Sequence, residues 1–197
     1  MVLSMNVEPA LDRIEIVLGD ITKQEVDAIV NAANSQLANG GGVAQAISLA
    51  AGPEYQRECD SFAATGVVRT GQVLTTGAGG LPCKFVINAV GPIYGRHEGA
   101  EAELLASAYR NSIKAASEHK LRSIAFCAIS CGIYGYPLAE GAAIALRTTY
   151  QTLLEYEDID FIRFCLFGPA ELDAFNQAYL ALNKEVGPGP VDWAASA

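Results

Sequence analysis

Short apolar runs alternate along the chain with longer stretches in which apolar residues recur every third or fourth position. Ile14-Glu15-Ile16-Val17-Leu18 and Ala28-Ile29-Val30 are β-rich runs separated by the polar segment GDITKQEVD. QVLTTGAGGLP, KFVINAVGP, SIAFCAIS and FIRFCLFG are apolar, partly β-branched and closed by Gly, Pro or Ser, the pattern of a buried strand. Val43, Ala46, Ile47 and Ala50 fall at helical spacing and predict a helix that starts just after Gly40-Gly41-Gly42. Pro53, a favoured first-turn residue, opens a second. In EAELLASAYRNSIKAASEH the residues Leu105, Tyr109, Ile113 and Ala116 make one helical face. A fourth helix runs from about Pro137 to Tyr156, and a fifth carries Leu172, Phe175, Tyr179 and Leu182 on one seam.

Strands alternating with helices of this length imply a sheet covered on both faces, a three-layer α/β/α sandwich. The pattern leaves strand order open. At 197 residues the chain fits one domain, expected over 1–185, with residues 186–197, which end in GPGPVDWAASA, reading as a linker or flexible tail.

Composition narrows the picture. Hydrophobic residues reach 51% and charged residues 18%, too apolar for disorder, yet no apolar run approaches the roughly 18 to 20 residues of a bilayer helix. The N-terminus lacks a basic region followed by a cleavable apolar core, so the expectation is a soluble cytoplasmic protein, nuclear if eukaryotic, without a membrane partner. A formal net charge of −9 argues against nonspecific nucleic-acid binding, which rests on neutralising phosphates with Lys and Arg. The five cysteines are odd in number and lack CxxC spacing, and only two histidines are present. Reduced, buried thiols are therefore expected, and neither a metal nor a cofactor.

The candidate chemistry lies in NAANSQLANGGGVAQAI, residues 31–47, which carries three consecutive glycines and no charged side chain. In α/β folds ligands sit beyond the carboxyl ends of the strands, where loops lead into helix N-termini. Glycines let bare backbone approach a ligand, and a helix start offers oriented N–H groups with roughly half a positive charge. A pyrophosphate can be held that way without Lys or Arg. The spacing is neither GxGxxG nor GxxxxGK[ST], so the dinucleotide-fold and P-loop readings fail, and three glycines also suit a mobile loop. Asn31 and Asn34 are short amides at a strand exit, costly there unless they turn the chain or face a ligand. SCGIYGYP, residues 130–137, repeats the arrangement of strand, Ser and Gly, aromatic and helix.

GDITKQEVDAIVNAAN, GGGVAQAI, AAGPE, VINAVGP and SIAFCAISCGIYGYP, in that order, resemble the macrodomain family, the ADP-ribose-binding fold, over about residues 14–183. The resemblance implies a mixed central sheet and a cleft holding ADP-ribose extended across the strand ends. It implies that Asp20 accepts from the adenine amino group, with the backbone of Ile21 beside it, and that Asn31 and Ala33 belong to the substrate site. Gly41, Gly42 and Val43 would donate to one phosphate, while Ser130, Cys131, Gly132, Ile133 and Tyr134 would wrap the other. Phe167 stands where many members stack a ring on adenine, and ordinary core is its other reading. Asp20 is likewise open to a plain turn role after Gly19.

One hydrolytic branch of the family has an aspartate directly after GGGV; this chain has Ala44 there. The stretch resembles instead the viral-type and ADP-ribosyltransferase-associated members, which remove mono-ADP-ribose from protein carboxylates. By that resemblance Asn34 would position the distal ribose, Gly42 would help hold the phosphate that binds the attacking water, and Tyr134 would press the ribose toward it. The implied partners are ADP-ribose and mono-ADP-ribosylated proteins, met by a monomer. The alternatives are a non-catalytic ADP-ribose reader and an O-acetyl-ADP-ribose deacetylase. Cys131 has no histidine near in sequence and reads as packing rather than a nucleophile. His97 is expected on an exposed turn, His119 at a helix C-terminus, and Glu98, Glu101 and Glu103 at a solvated helix start.

Overall fold

In a computed structural model, which describes residues 10–38 and 40–186, six strands and five helices follow one another in chain order. The strands are β1 (Ile14–Leu18), β2 (Ala28–Ala33), β3 (Val73–Gly77), β4 (Phe85–Val90), β5 (Ser123–Phe126) and β6 (Phe161–Leu166). The helices are α1 (Gly42–Ala51), α2 (Pro53–Ala63), α3 (Glu101–Glu118), α4 (Leu138–Leu153) and α5 (Pro169–Val186). Val186 thus ends the last helix instead of starting a tail, and the remainder of the expected tail, 187–197, lies outside the described residues.

The strands hydrogen-bond in the order β1-β6-β5-β2-β4-β3, and every pair is parallel except β3 with β4. That makes the sheet mixed, with crossover helices on both faces, as parallel connections require. Because side chains alternate along a strand, Val30, Ile87 and Phe126, paired across β2, β4 and β5, share one face, while Asn31 and Asn88 share the other. On the first face Tyr109 of α3, Phe126, Phe164 and Phe175 of α5 pack with ring centroids 5.1–5.6 Å apart in sequence. The Tyr109 hydroxyl accepts from the Ile129 N–H at 3.0 Å, which ties this core to the loop after β5. On the second face Tyr55 of α2 donates to Asn88 Oδ1 at 2.6 Å and receives from Asn31 Nδ2 at 3.1 Å.

Three details depart from the sequence reading. The buried side of α1 is Ala44, Ile47, Ser48 and Ala51, so the inward stripe is rotated and Ala46 and Ala50 are exposed. Glu101 is not solvated: it is buried, and its carboxylate accepts from the His97 N–H at 2.8 Å, fastening the loop before α3. Cys83 and Cys131 are only partly buried, while Cys59, Cys127 and Cys165 are buried, and all five thiols are free. His119 does cap the C-terminus of α3.

Arg13, just before β1, is 6% exposed and donates to the carbonyls of Leu153, Tyr156 and Ile159 at the C-terminal end of α4 and the loop beyond it. A cation there satisfies carbonyls that the helix leaves open. Arg13→Met keeps the apolar stem and removes the donors. It should lower unfolding free energy by about 2 kcal/mol, seen in a thermal melt as a fall of roughly 4–8 °C.

Candidate functional site

At the carboxyl ends of the parallel strands the loops after β1, β2, β4, β5 and β6 meet around a cavity of about 510 Å³. Among the described residues, Asp20 and Glu171 are the carboxylates that line it, and neither Lys, Arg nor His does. An anion in this cleft therefore depends on main-chain donors.

The first turn follows β2. Gly41 and Gly42 have φ of +103° and +57°, conformations that favour glycine, and Gly41 serves as N-cap of α1 without a side-chain bond. The helix ladder begins with the Gln45 N–H on the Gly41 carbonyl at 3.4 Å, so the N–H groups of Gly42, Val43 and Ala44 precede it and lack a helical acceptor. Asn34 lines the cavity, yet its amide also builds the turn: Oδ1 accepts from the N–H groups of Gln36 and Ala38 at 3.1 and 3.0 Å. Its Nδ2 donates to the Ala38 carbonyl at 2.8 Å, and its second N–H has no acceptor among the described residues.

The second turn follows β5. Ser130 has φ +65°, rare for a residue with a side chain, and its buried Oγ has no hydrogen-bond partner among the described residues. The Tyr136 N–H donates to the Ser130 carbonyl at 3.0 Å and the Gly135 N–H to that of Gly132 at 2.9 Å, closing the turn on itself. The N–H groups of Gly132, Ile133 and Tyr134 have no main-chain acceptor among the described residues. Ile133 is 77% exposed and reaches over the opposite glycines, its Cδ1 3.7 Å from where a Cβ would stand on Gly41 or Gly42. The two turns thus face each other across a slot.

Gly91, at the end of β4, holds the second turn in place by having no side chain. A Cβ there would overlap Ser130 Oγ and lie 2.6 Å from Ile129 Cγ2. Gly91→Ala must push that turn toward the slot, and binding of an ADP-ribose ligand should weaken by about 10-fold, measured by calorimetry; unchanged affinity would show that the turn's position does not matter.

Asp20 precedes a short 3-10 turn, Ile21–Lys23, that the sequence reading did not resolve. Its Oδ1 accepts from the Thr22 hydroxyl at 2.6 Å and the Thr22 N–H at 2.9 Å, while Lys23 Nζ lies 3.7 Å from Oδ2. The Thr22 hydroxyl and amide, with Lys23 assisting, lower its pKa, so the group stays an ionised acceptor. Phe167 is 90% exposed at the lip, which excludes the core reading and leaves a free ring face. Ile21, Ala33, Val43, Cys131 and Tyr134 line the cavity with them. Burial, then the charge of Glu171, pushes the Cys131 thiol up to about 11, unsuited to a nucleophile at neutral pH.

Asn31 is the exception. It does not line the cavity, because β2 continues to Ala33, which keeps Asn31 inside the sheet, where it bonds into the Tyr55–Asn88 network. Conversely Gly91, Glu171 and Cys165 border the cleft without having been singled out for it. Gly91 lies in the quoted VINAVGP run, a usable signal; Glu171 gave none beyond an acid in a first helical turn.

Residues 30–145 match the Macro domain family. The chain is 46% identical over 168 residues to Macro domain-containing protein CT2219 of Chlorobaculum tepidum, covering 85% of this chain and 96% of that protein. It is 46% identical over 154 residues to an O-acetyl-ADP-ribose deacetylase of Klebsiella pneumoniae, covering 78% and 88%. The Oceanobacillus iheyensis macrodomain with ADP superposes with a TM-score of 0.85 at 41% identity, covering 88% and 93% of the two chains. The Trypanosoma brucei macrodomain in complex with ADP-ribose gives 0.79 at 36%, covering 87% and 72%. A cleft of main-chain donors at the strand ends, on this sheet order and with these relatives, makes the chain a member of the Macro domain family.

Proposed function

We propose that the cleft binds ADP-ribose and that the chain hydrolyses mono-ADP-ribose from modified aspartate and glutamate side chains. The observation that carries this reading is the pair of facing turns, at Gly42–Ala44 and Gly132–Tyr134, whose N–H groups have no main-chain acceptor among the described residues. Strand order supplies the direction. From β1 through β6 and β5 to β2 the strand ends span three spacings, roughly 14 Å, and the site groups follow that line. Adenine lies against Asp20 and Phe167, the diphosphate between the turns, and the distal ribose beside Asn34 and Tyr134.

The two cavity carboxylates belong to the β1 and β6 end, away from the distal ribose. Water attack at the anomeric carbon must therefore rely on a phosphate oxygen to orient the water and receive its proton. The new bond joins water oxygen to that carbon as the bond to the acyl oxygen breaks, and the protein carboxylate leaves with the electron pair. A carboxylate needs no acid to depart, so orientation alone, worth several kcal/mol, carries much of the rate.

Deacetylation of O-acetyl-ADP-ribose is the second reading, favoured by the 46% identical Klebsiella relative that bears that name. Both substrates carry an acyl ester on the distal ribose. Incubation with a glutamate-linked mono-ADP-ribosylated protein, in parallel with O-acetyl-ADP-ribose, separates them: loss of label with release of free ADP-ribose is expected in the first arm. Label that stays on the protein while both proteins co-purify would overturn hydrolysis in favour of a reader.

A further inference from the structure

Glu171, in the first turn of α5, lines the cleft, and among the described residues its carboxylate has neither a hydrogen-bond nor an ion-pair partner. Its Oε2 lies over the backbone of Gly168, where a Cβ would overlap it. It is also near enough to Cys131 that its charge, after burial, raises that thiol. The carboxylate thus stands between Phe167 and the second turn. In a ligand with its base on Phe167 and its diphosphate at Ser130–Tyr134, that interval is occupied by the adenosine ribose.

Resting on the ADP-ribose reading of the cleft, we propose that Glu171 sets specificity at the adenosine ribose: it accepts from a free hydroxyl there and excludes nucleotides that carry a 2′-phosphate. An ionised carboxylate can only accept, so a hydroxyl satisfies it. A phosphate at the same distance brings like charge, and among the described residues no Lys, Arg or His lines the cleft to compensate. The same chemistry lets an acidic side chain in dinucleotide folds choose a ribose with a free 2′-OH, where an arginine accommodates the 2′-phosphate. Asp20 contributes less to this choice, because its Oδ1 is held by Thr22 toward the base end.

Calorimetry with ADP-ribose and with ADP-ribose 2′-phosphate tests the assignment. The native chain should prefer ADP-ribose by about 30-fold or more. Glu171→Gln, which keeps a hydrogen-bonding oxygen, should hold ADP-ribose within about 3-fold and shrink the preference below about 5-fold, while Glu171→Arg should reverse it. Glu103→Gln, removing an exposed charge on α3, should leave the ratio unchanged and so separates Glu171 from the general acidity of the chain. Equal affinities for the native chain, or a ratio unmoved in Glu171→Gln, overturn the assignment alone. If ADP-ribose itself gives no heat, the reading of the cleft and this inference fall together.

Discussion

Gly42→Val should raise the dissociation constant for ADP-ribose by about 100-fold or more, with the fold intact. Gly42 sits at φ +57°, where a β-branched residue costs about 1–2 kcal/mol or more. Relieving that cost means rotating the peptide plane, which aims the first N–H groups of α1 away from the slot. The side chain adds a second effect: its Cβ would stand 3.7 Å from Ile133 Cδ1, so the γ-methyls fill the gap between the turns. Hydrogen bonds to a charged acceptor are worth about 1.5–3 kcal/mol each, and losing one or two of them suffices for the stated factor. Gly42 is exposed at a helix start, so the thermal midpoint should move by only a few degrees, roughly. Affinity within about 3-fold of the native chain would mean that the glycine turn does not hold the ligand.

Asn34→Ala should lower turnover of an ester-linked substrate by about 100-fold while binding of ADP-ribose changes much less. Two causes are separable because the amide has two ends. Oδ1 organises the turn through Gln36 and Ala38, and Nδ2 has one N–H beyond its bond to the Ala38 carbonyl. Asn34→Asp retains both accepted bonds and loses the donor. Turnover that stays low in Asn34→Asp identifies the free N–H as the group that positions the distal ribose. Recovery in Asn34→Asp would assign Asn34 to turn-holding alone, and undiminished activity in Asn34→Ala would remove it from the mechanism.

The contrast between Asn31 and Asn34 shows what a sequence can disclose about this site. Both are amides near the end of the same apolar run, and a strand ended at Val30 puts both in the loop. The strand continues to Ala33 because Asn31 through Ala33 pair with Asn88 through Val90 of β4, a partner more than fifty residues away. That pairing holds Asn31 within the sheet against Tyr55 of α2 and leaves Asn34, just past the strand end, at the cleft. Element type was legible because it rests on local periodicity: Leu105, Tyr109, Ile113 and Ala116 are all fully buried, as their spacing requires. On α1 the same rule misjudged the inward face, because Val43, Ala44 and Ala46 line the cleft while Ile47 and Ala51 pack in the core.

Residues that act by being near a distant segment were the hardest to read. Gly91 matters because Ser130 passes over it, and Glu171 because it lies over Gly168 with Cys131 nearby. Glu101 looked like a solvated acid and is instead the acceptor that fastens the loop at His97. Each of these contacts joins segments whose approach only the folded chain fixes.

Amide resonances report directly whether uncharged main chain grips a diphosphate. Titration of ¹⁵N-labelled protein with ADP-ribose, and separately with ADP, should shift the amides of Gly42, Val43, Gly132 and Ile133 most strongly and in the same direction with both ligands. Shifts concentrated away from the two turns, or absent there at saturation, would contradict it.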